Sequence, residues 1–549
     1  MDNPESYGVN YGVNYGGTST AAQTQSLEEA AMKLASESSS SQDVAAPLQP
    51  PDSILIIGAG VFGISTALEL LRSPRYDRTC VMLVDAYAPP LEPPTTGASL
   101  NAVADGQGSP TYKKEVTASL DTSRIVRPDY AQPLYAKLAD KATGLFRSGW
   151  AEGSAAAAAA AEKTYTQPGL LVISTGPEKG RGREYIESSY ENTLHLARLA
   201  QSKTQQEVKD NSGVEPITLP TSSDVEACLG SSTGFLPETT IGYINPQAGW
   251  ANAIAAITAL KNQVIALGQT RDEEGKAPFR FCSGTKVTSL LFSDDKTRVT
   301  GAILNSSERF LADMTVLAAG AWTSSFLPSL LSPRMRASGQ VLAYISLDSE
   351  DEIARYAGKP TVIDYESGMY AIYPPEHYIS EKRNRGHFKV SRHGWGYAHT
   401  RTIQDPLTKE EVRCFLPADN EGDFFALPLE GKETCRAFAQ MIVPEIASRE
   451  FSLERVCWYC DTPTSDFLID RIPQLQGILI ATGGSGHGFK FLPVLGEEIV
   501  ARLEGRLDPE LSELWRWRSE EECTREWLGK GDASRGGPRG MKWETEIAR

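Results

Sequence analysis

The chain has 549 residues, enough for one large domain or two to three ordinary ones, and 40 % of them are apolar, enough for a sizeable core. Its 54 Lys and Arg stand against 70 Asp and Glu, a formal charge of −16, which argues against nucleic acid as a general partner because phosphate recognition needs a basic field. No apolar run reaches the roughly 18 residues of a membrane-spanning helix, so no membrane partner is expected.

Residues 1–50 carry a short "YGVN" repeat and then Ser, Gln and Ala, and read as a disordered tail. The opening residues lack the basic start and apolar core of a secretory signal. "SILIIGAG" is the first strand, "VFGISTALELLRS" an amphipathic helix, and "CVMLVDA" the second strand, both strands of the buried parallel type. Between strand and helix, Gly58, Gly60 and Gly63 form G-x-G-x-x-G. Gly58 permits the tight turn, Gly60 lets backbone approach a pyrophosphate, and Gly63 lets helix and strand pack closely. Val61 and Phe62 open the helix, whose unpaired N–H groups and positive end face the phosphates. Asp85 closes the second strand, 22 residues after Gly63, and is placed for an adenosine ribose hydroxyl. An acid there favours FAD or NAD over NADP.

Further along, residues 91–115 read as a long loop and "GSAAAAAAAEK" (153–163) as a helix extension or surface insert. "DTSRIVRPDY" sets Arg124 and Arg127 three apart. Such a pair suits carboxylates, because the planar guanidinium matches two oxygens, or else forms a solvated basic turn. "KVTSLLFSDDKTRVTGAILNSSERFLADM" reads as hairpin sequence, and "MTVLAAGAW" as another apolar strand ending in Gly, with Trp322 read as core packing. "GMYAIYPP" offers Tyr370 and Tyr373 as aromatic walls without choosing between them. "HFKVSRHG" looks strand-like, which places Lys389 and His393 on one side. "VCWYCDTP" contains Cys457 and Cys460 as C-x-x-C, a spacing compatible with a redox disulfide, half a zinc site or two ordinary core thiols. "ATGGSGHGFKFLPVLGEEIVARL" is a strand, a glycine turn and a helix, some 400 residues after the first motif. So late a closing element favours FAD over NAD, because the chain must return to cover the flavin end of a long cofactor. The remainder, "GKGDASRGGPRGMKWETEIAR", looks loose and does not end in the S-K-L peroxisomal address. Eight cysteines, scattered but for one pair, suit a reducing compartment, and a cytoplasmic location is expected.

Over residues 52–505 the ordered motifs "GAGVFGISTALEL", "VDAYAPP", "DTSRIVRPDY", "GYINPQAGWANA", "AAGAW", "HFKVSRHG", "CWYCDTPTSDFLID" and "GGSGHGFKFLPVLGE" resemble the D-amino-acid-oxidase-like flavoproteins. The likeness is to the branch of monomeric sarcosine oxidase, L-pipecolate oxidase, saccharopine oxidase and fructosyl amino acid oxidases. It implies an α/β (α+β) fold in which a Rossmann-type FAD domain holds an inserted substrate domain on a mixed, largely antiparallel sheet. The expected division is a tail (1–50), an FAD domain (51–135, 240–335, 455–505), a substrate domain (136–239, 336–454) and a partly disordered extension (506–549).

The resemblance also implies site residues. Cys457 falls on the cysteine that tethers FAD, and Cys460 on a position where other members carry non-cysteine residues. A thiolate is the nucleophile such a bond needs, and no second C-x-x-C or H-x-x-x-H supplies zinc ligands. Arg127 and Lys490 match carboxylate-binding cations, Arg124 a residue near the flavin, Lys389 the oxygen-activating lysine, and His393 an active-site histidine. Tyr459 walls the substrate side, while Gly486 and Gly488 bring backbone to the cofactor. His487 reads as structural or flavin-adjacent. Arg124 stands where fructosyl-amine members often have Lys, which leans the substrate towards the sarcosine and pipecolate side. The expected activity is oxidation of the C–N bond of a secondary amine or imino acid to an imine, with O2 reduced to H2O2, by a monomer that needs no metal. Two alternatives are a tailoring oxidase acting on a larger amine metabolite and a non-catalytic flavin-binding scaffold.

Overall fold

A computed structural model describes residues 48–87, 117–150, 163–202, 213–230, 234–418, 427–529, 531 and 534–547. The tail before residue 48, the expected loop at 91–115 and the alanine run at 153–162 lie outside the described residues.

Two sheets organise the described chain. The first has six strands in the order Leu468–Ile472, Leu475–Thr482, Met314–Leu317, Ser53–Ile57, Cys80–Asp85 and Phe279–Ser283. All neighbours are parallel except the edge pair Leu468–Ile472 and Leu475–Thr482. Ile54, Leu55 and Ile56 are fully buried on both faces, which is why this strand reads as an unbroken apolar run. Helices Val61–Arg72, Ala253–Glu273 and Leu492–Glu504 pack on it and close the core around Ile64, Ile257 and Leu495. The expected hairpin is a three-stranded antiparallel sheet, Val287–Phe292, Val299–Leu304 and Arg309–Leu311.

The second sheet has eight strands in the order Leu453–Asp461, Arg336–Leu347, Gly386–Arg392, Met369–Ile372, Thr361–Asp364, Leu170–Ser174, Ile241–Asn245 and Ile217–Leu219. Its pairings are antiparallel apart from Thr361–Asp364 with Leu170–Ser174. This is the mixed, largely antiparallel sheet expected for the substrate region. Two expected boundaries move by one strand. Ile241–Asn245 and Leu453–Asp461 hydrogen-bond into this sheet, not into the six-stranded one. The strand carrying Cys457 therefore belongs to the eight-stranded sheet, and the chain crosses to the other sheet only at Leu468.

The C-terminal extension differs most from its expected looseness. Leu507, Leu511 and Trp515 join the core of the parallel sheet. Residues 534–547 return to the second region, where Gly536 bridges Gly394 and Lys542 bridges Ala398. Among the described residues no helix is long and apolar enough to cross a membrane, and no group of three His, Cys, Asp or Glu is arranged to hold a metal ion.

Candidate active site

A cleft of about 660 Å³ opens at the C-terminal ends of the parallel strands and reaches the edge of the second sheet. That volume lies within the roughly 300–1,000 Å³ usual for small-molecule sites. Gly58, Gly60, Val61 and Phe62 form one wall. The helix's N-cap, Gly60, supplies no side-chain cap and the first turn no acid; the Val61 N–H donates to the neutral Ser119 hydroxyl at 3.2 Å, so no anion of the protein meets the positive end. A Cβ on Gly63 would lie 1.8 Å from the Gly58 carbonyl oxygen, so only glycine lets this helix approach its strand. Asp85 also lines the cleft, its carboxylate fixed by the amides of Ala59 at 2.5 Å and Tyr87 at 2.8 Å. Trp322, read from sequence as core packing, is a cleft wall beside Tyr87, with ring centroids 5.9 Å apart. A helix end with no acid in its first turn, a glycine cradle and an acid at the next strand end together fit the pyrophosphate and ribose of a dinucleotide.

At the far end, Tyr459, Gly486 and Gly488 line the cleft. Gly486 has φ +76°, and a Cβ there would lie 2.3 Å from the Tyr459 ring and 2.7 Å from His393. The glycine thus lets the turn press against both rings. His393 is buried and approaches Ser534 Oγ at 3.4 Å through Nε2. Burial, then Arg535, holds this imidazole well below its usual range, so it is neutral.

The two arginines of "DTSRIVRPDY" part company. Arg124, in the short strand Arg124–Val126, lines the cleft, ion-pairs with Asp121 and donates to Cys457 Sγ at 3.5 Å. Arg127 lies just beyond the strand and stacks over Tyr130 at 4.7 Å and Tyr365 at 5.5 Å. Its Nη1 is buried and has no hydrogen-bond partner among the described residues. Leaving such a donor unpaired costs about 1–3 kcal/mol, a sign that a partner belongs there. Lys490 donates to Tyr130 Oη at 2.9 Å and to the His487 carbonyl at 3.0 Å, so Tyr130 brings the two cations together. Burial, then Arg127, pulls Lys490 well below the ordinary lysine range, with Asp129 opposing. His487 is held on both sides. Its Nε2 donates to the Ser465 carbonyl at 2.8 Å, which leaves Nδ1 to accept from Tyr130 Oη at 2.9 Å.

Lys389 lies four residues before His393, about 13 Å of extended chain, and belongs to a different group. It is buried and donates to Asp121 at 2.7 Å and to the Ser123 carbonyl at 2.8 Å. Burial draws its ammonium down to about 8, with Asp121 resisting and Arg124 adding to the fall. Tyr370 faces this group, 5.6 Å from Lys389 Nζ, whereas Tyr373 packs against Phe388 in the apolar core of the second sheet. Three residues apart, the two tyrosines differ in surroundings, although Tyr373 also lines a smaller cavity beside Lys389 and neither is a wall of the large cleft.

The cysteines of "VCWYC" also diverge. Cys457 shares a face of its strand with Tyr459 and sits beside Arg124. Burial raises its thiol, while Arg124, Arg455 and Lys389 pull it back down. Cys460 points into the apolar core of the parallel sheet, accepts from Thr482 Oγ1 at 3.5 Å, and burial pushes it up to about 11. Cys460, not Cys457, is itself a cleft wall; Cys457 meets the cleft through its contact with Arg124. Both are free thiols, so the pair is not a disulfide.

With this geometry in view, comparison with known proteins is informative. The model of the family described as FAD dependent oxidoreductase (DAO) matches residues 53–502. The chain belongs to the FAD-dependent oxidoreductase family. Amino acid oxidase fsqB of Aspergillus fumigatus is 28 % identical, over 85 % of this chain and 98 % of its own. L-saccharopine oxidase of Schizosaccharomyces pombe is 26 % identical, over 86 % of this chain and 94 % of its own. The solved fructosyl peptide oxidase from E. terrenum superposes with a TM-score of 0.68 at 23 % identity, covering 91 % of this chain and 98 % of that one, which establishes the shared fold.

For this FAD-dependent oxidoreductase, sequence reasoning missed two groups. Asp121 is fully buried and binds Arg124, Lys389 and Tyr344 Oη, with Arg455 at 3.9 Å. Burial works against its charge, yet the three cations outweigh it and hold the carboxyl far below the usual range. It opens the "DTSRIVRPDY" motif, and an acid beside two arginines was its signal. Arg535 is buried, ion-paired to Asp461 at 2.7 Å and donating to the Ser485 carbonyl at 3.0 Å. No local pattern marked it, because its partner lies 74 residues away.

Proposed function

We propose that this protein oxidises the C–N bond of a secondary amine or imino acid that bears a carboxylate, giving an imine and reducing O2 to H2O2. The observation that carries this reading is the buried, partnerless Nη1 of Arg127 beside Lys490. A substrate carboxylate supplies what both lack, and a planar guanidinium holds it in one orientation. Binding also draws a proton onto Lys490, whose ammonium is disfavoured without a nearby anion.

FAD is held by the glycine turn, the start of the Val61 helix and Asp85, and when bound it supplies the two-electron acceptor. Arg124 flanks the flavin end, and Cys457 is the tether. Tyr459 and Tyr370 wall the substrate. The surrounding cations disfavour a protonated amine, so the reactive free base is the form retained. His393, kept neutral, adds no further positive charge. Lys389 is the cation that stabilises negative charge developing on oxygen, and Asp121 and the Ser123 carbonyl fix its position.

Relatives named for oxidation of amino acids, saccharopine and sarcosine set the screening panel. With N-alkyl, cyclic and saccharopine-like amino acids, the flavin bands should bleach without oxygen and recover in air with H2O2. A panel that leaves the bands unbleached would refute the activity. On a denaturing gel, Cys457→Ala should lose the fluorescent flavin band and Cys460→Ala should keep it; the reverse would overturn the tether assignment.

A further inference from the structure

Arg535 is buried, and its Nη2 donates both to Asp461 at 2.7 Å and to the Ser485 carbonyl at 3.0 Å. Asp461 ends the strand that carries Tyr459, and Ser485 opens the turn that carries Gly486. Tyr459, Ser485 and Gly486 all line the large cleft. The strand belongs to the eight-stranded sheet, whereas the turn follows Leu475–Thr482 of the parallel sheet. One guanidinium therefore ties two walls of the cleft together across the seam between the sheets. The turn needs a tie, because Ser485 (φ +46°) and Gly486 (φ +76°) are both left-handed, a backbone that disfavours side chains. The same piece of chain holds His393, whose carbonyl accepts from the Gly536 N–H at 3.2 Å. A Cβ on Gly368 would lie 2.7 Å from Gly536 N, and one on Gly536 2.1 Å from the Ser367 carbonyl carbon, so this crossing is built for glycine on both sides. Beyond it, Trp543 is buried against Trp458 and Tyr397.

We propose that Arg535 is a positioning residue for amine oxidation, acting through Asp461 and Ser485 to fix Tyr459 and the Gly486 turn at the far end of the cleft. The inference rests on the oxidase reading above. Arg535 does not itself line the cleft, so it acts through the walls and not by touching the amine. It lies beyond residue 502, where the family match ends, so a C-terminal segment outside that match completes the site. Bonds from a charged donor hold geometry more firmly than neutral ones. Firmness matters here, because a displacement of about 1 Å at reacting groups can slow a reaction about 100-fold.

Amide hydrogen exchange in the holoenzyme reads the tie directly. The Ser485 and His487 amides donate to the Cys460 and Gly484 carbonyls. In Arg535→Met they should exchange about tenfold faster or more, while the strand Leu475–Thr482 keeps its wild-type rates. Arg535→Lys keeps the charge and its donors, and should stay within about threefold of wild type. Anaerobic reduction by the amine should slow about tenfold in Arg535→Met. Benzoate affinity, read by flavin absorbance, should not change, because Arg127 and Lys490 are untouched. If Arg535→Met does not fold, Arg535→Met combined with Asp461→Asn leaves neither charge of the pair and should show the same local opening. Wild-type exchange at Ser485 and His487 in the folded variants, equal acceleration along Leu475–Thr482, or a loss of benzoate affinity matching the loss of rate would each overturn the proposal. Because exchange needs no amine, a failed amine panel leaves that measurement intact.

Discussion

Two basic pairs lie around this site, only Arg124 among the four lining the large cleft, and they are treated in opposite ways. Arg124 and Lys389 converge on a carboxylate of the protein itself, the fully buried Asp121. Arg127 and Lys490 converge on a phenol, Tyr130, and Arg127 keeps a buried N–H without a partner. The first pair is complete. The second is incomplete, which is what the proposed carboxylate binding rests on. Desolvated cations cost free energy unless paired, so a fold that leaves one pair open reserves it for an anion from outside.

The contrast is broken most directly at Asp121. Asp121→Asn leaves the buried Lys389, Arg124 and Arg455 facing a neutral amide. Removing one partner of a buried ion pair costs about 3–5 kcal/mol, and urea unfolding of the variant should show a loss of that size. If stability is unchanged, the pairing is not what holds these cations. Arg127→Met should behave oppositely. It removes an unsatisfied donor, so stability should stay within about 1 kcal/mol of wild type. Affinity for carboxylate-bearing substrates or inhibitors should fall by about 2–3 kcal/mol, read by flavin titration.

The two lysines sharpen the comparison through pH. Lys389 loses its proton as pH rises through about 8, so the rate of reoxidation by O2 should decline above that pH. Lys490, held well below the usual range, binds a carboxylate only in its protonated form. Inhibitor binding above its lowered pKa should therefore take up a proton, and affinity should weaken as pH rises. Calorimetry in buffers of different ionisation enthalpy measures that uptake directly. Heats independent of buffer would show that Lys490 does not change charge.

Much of the cofactor cleft was legible in sequence because its parts are local. Glycine spacing, helix start and strand-end acid lie within Gly58 to Asp85, and each follows from backbone geometry. The completeness of the cation pairs was not legible. Arg127 and Lys490 come from opposite ends of the chain, and only the fold sets both on Tyr130. The segment "SRGGPRGMKW" read as loose because Gly, Ser and Pro make up half of it. It packs because Arg535 is neutralised by Asp461 and Ser534 meets His393, contacts that composition does not reveal. Tyr370 and Tyr373 were ambiguous because both precede the same prolines; the fold sets Tyr370 over Lys389 and packs Tyr373 on Phe388 at the wall of the smaller cavity.

The smallest expected effect separates the neighbouring thiols on the strand Leu453–Asp461. Cys457 and Cys460 are three residues apart and so face opposite sides of it. Cys457 lies with Arg124 and Tyr459, on the side of the complete cation pair. Cys460 lies among Leu55, Leu468 and Ile480, where its sulfur behaves as a small apolar group. Cys460→Ala removes one buried atom of that kind and should cost about 1 kcal/mol, measured by thermal or urea unfolding. Its substrate affinity should match wild type, since no charged group of either pair touches it, and its flavin content should fall little, because alanine keeps this cleft wall apolar. A Cys460→Ala enzyme that lost affinity for carboxylates would mean the apolar layer, and not Tyr130 alone, sets the spacing of the open pair.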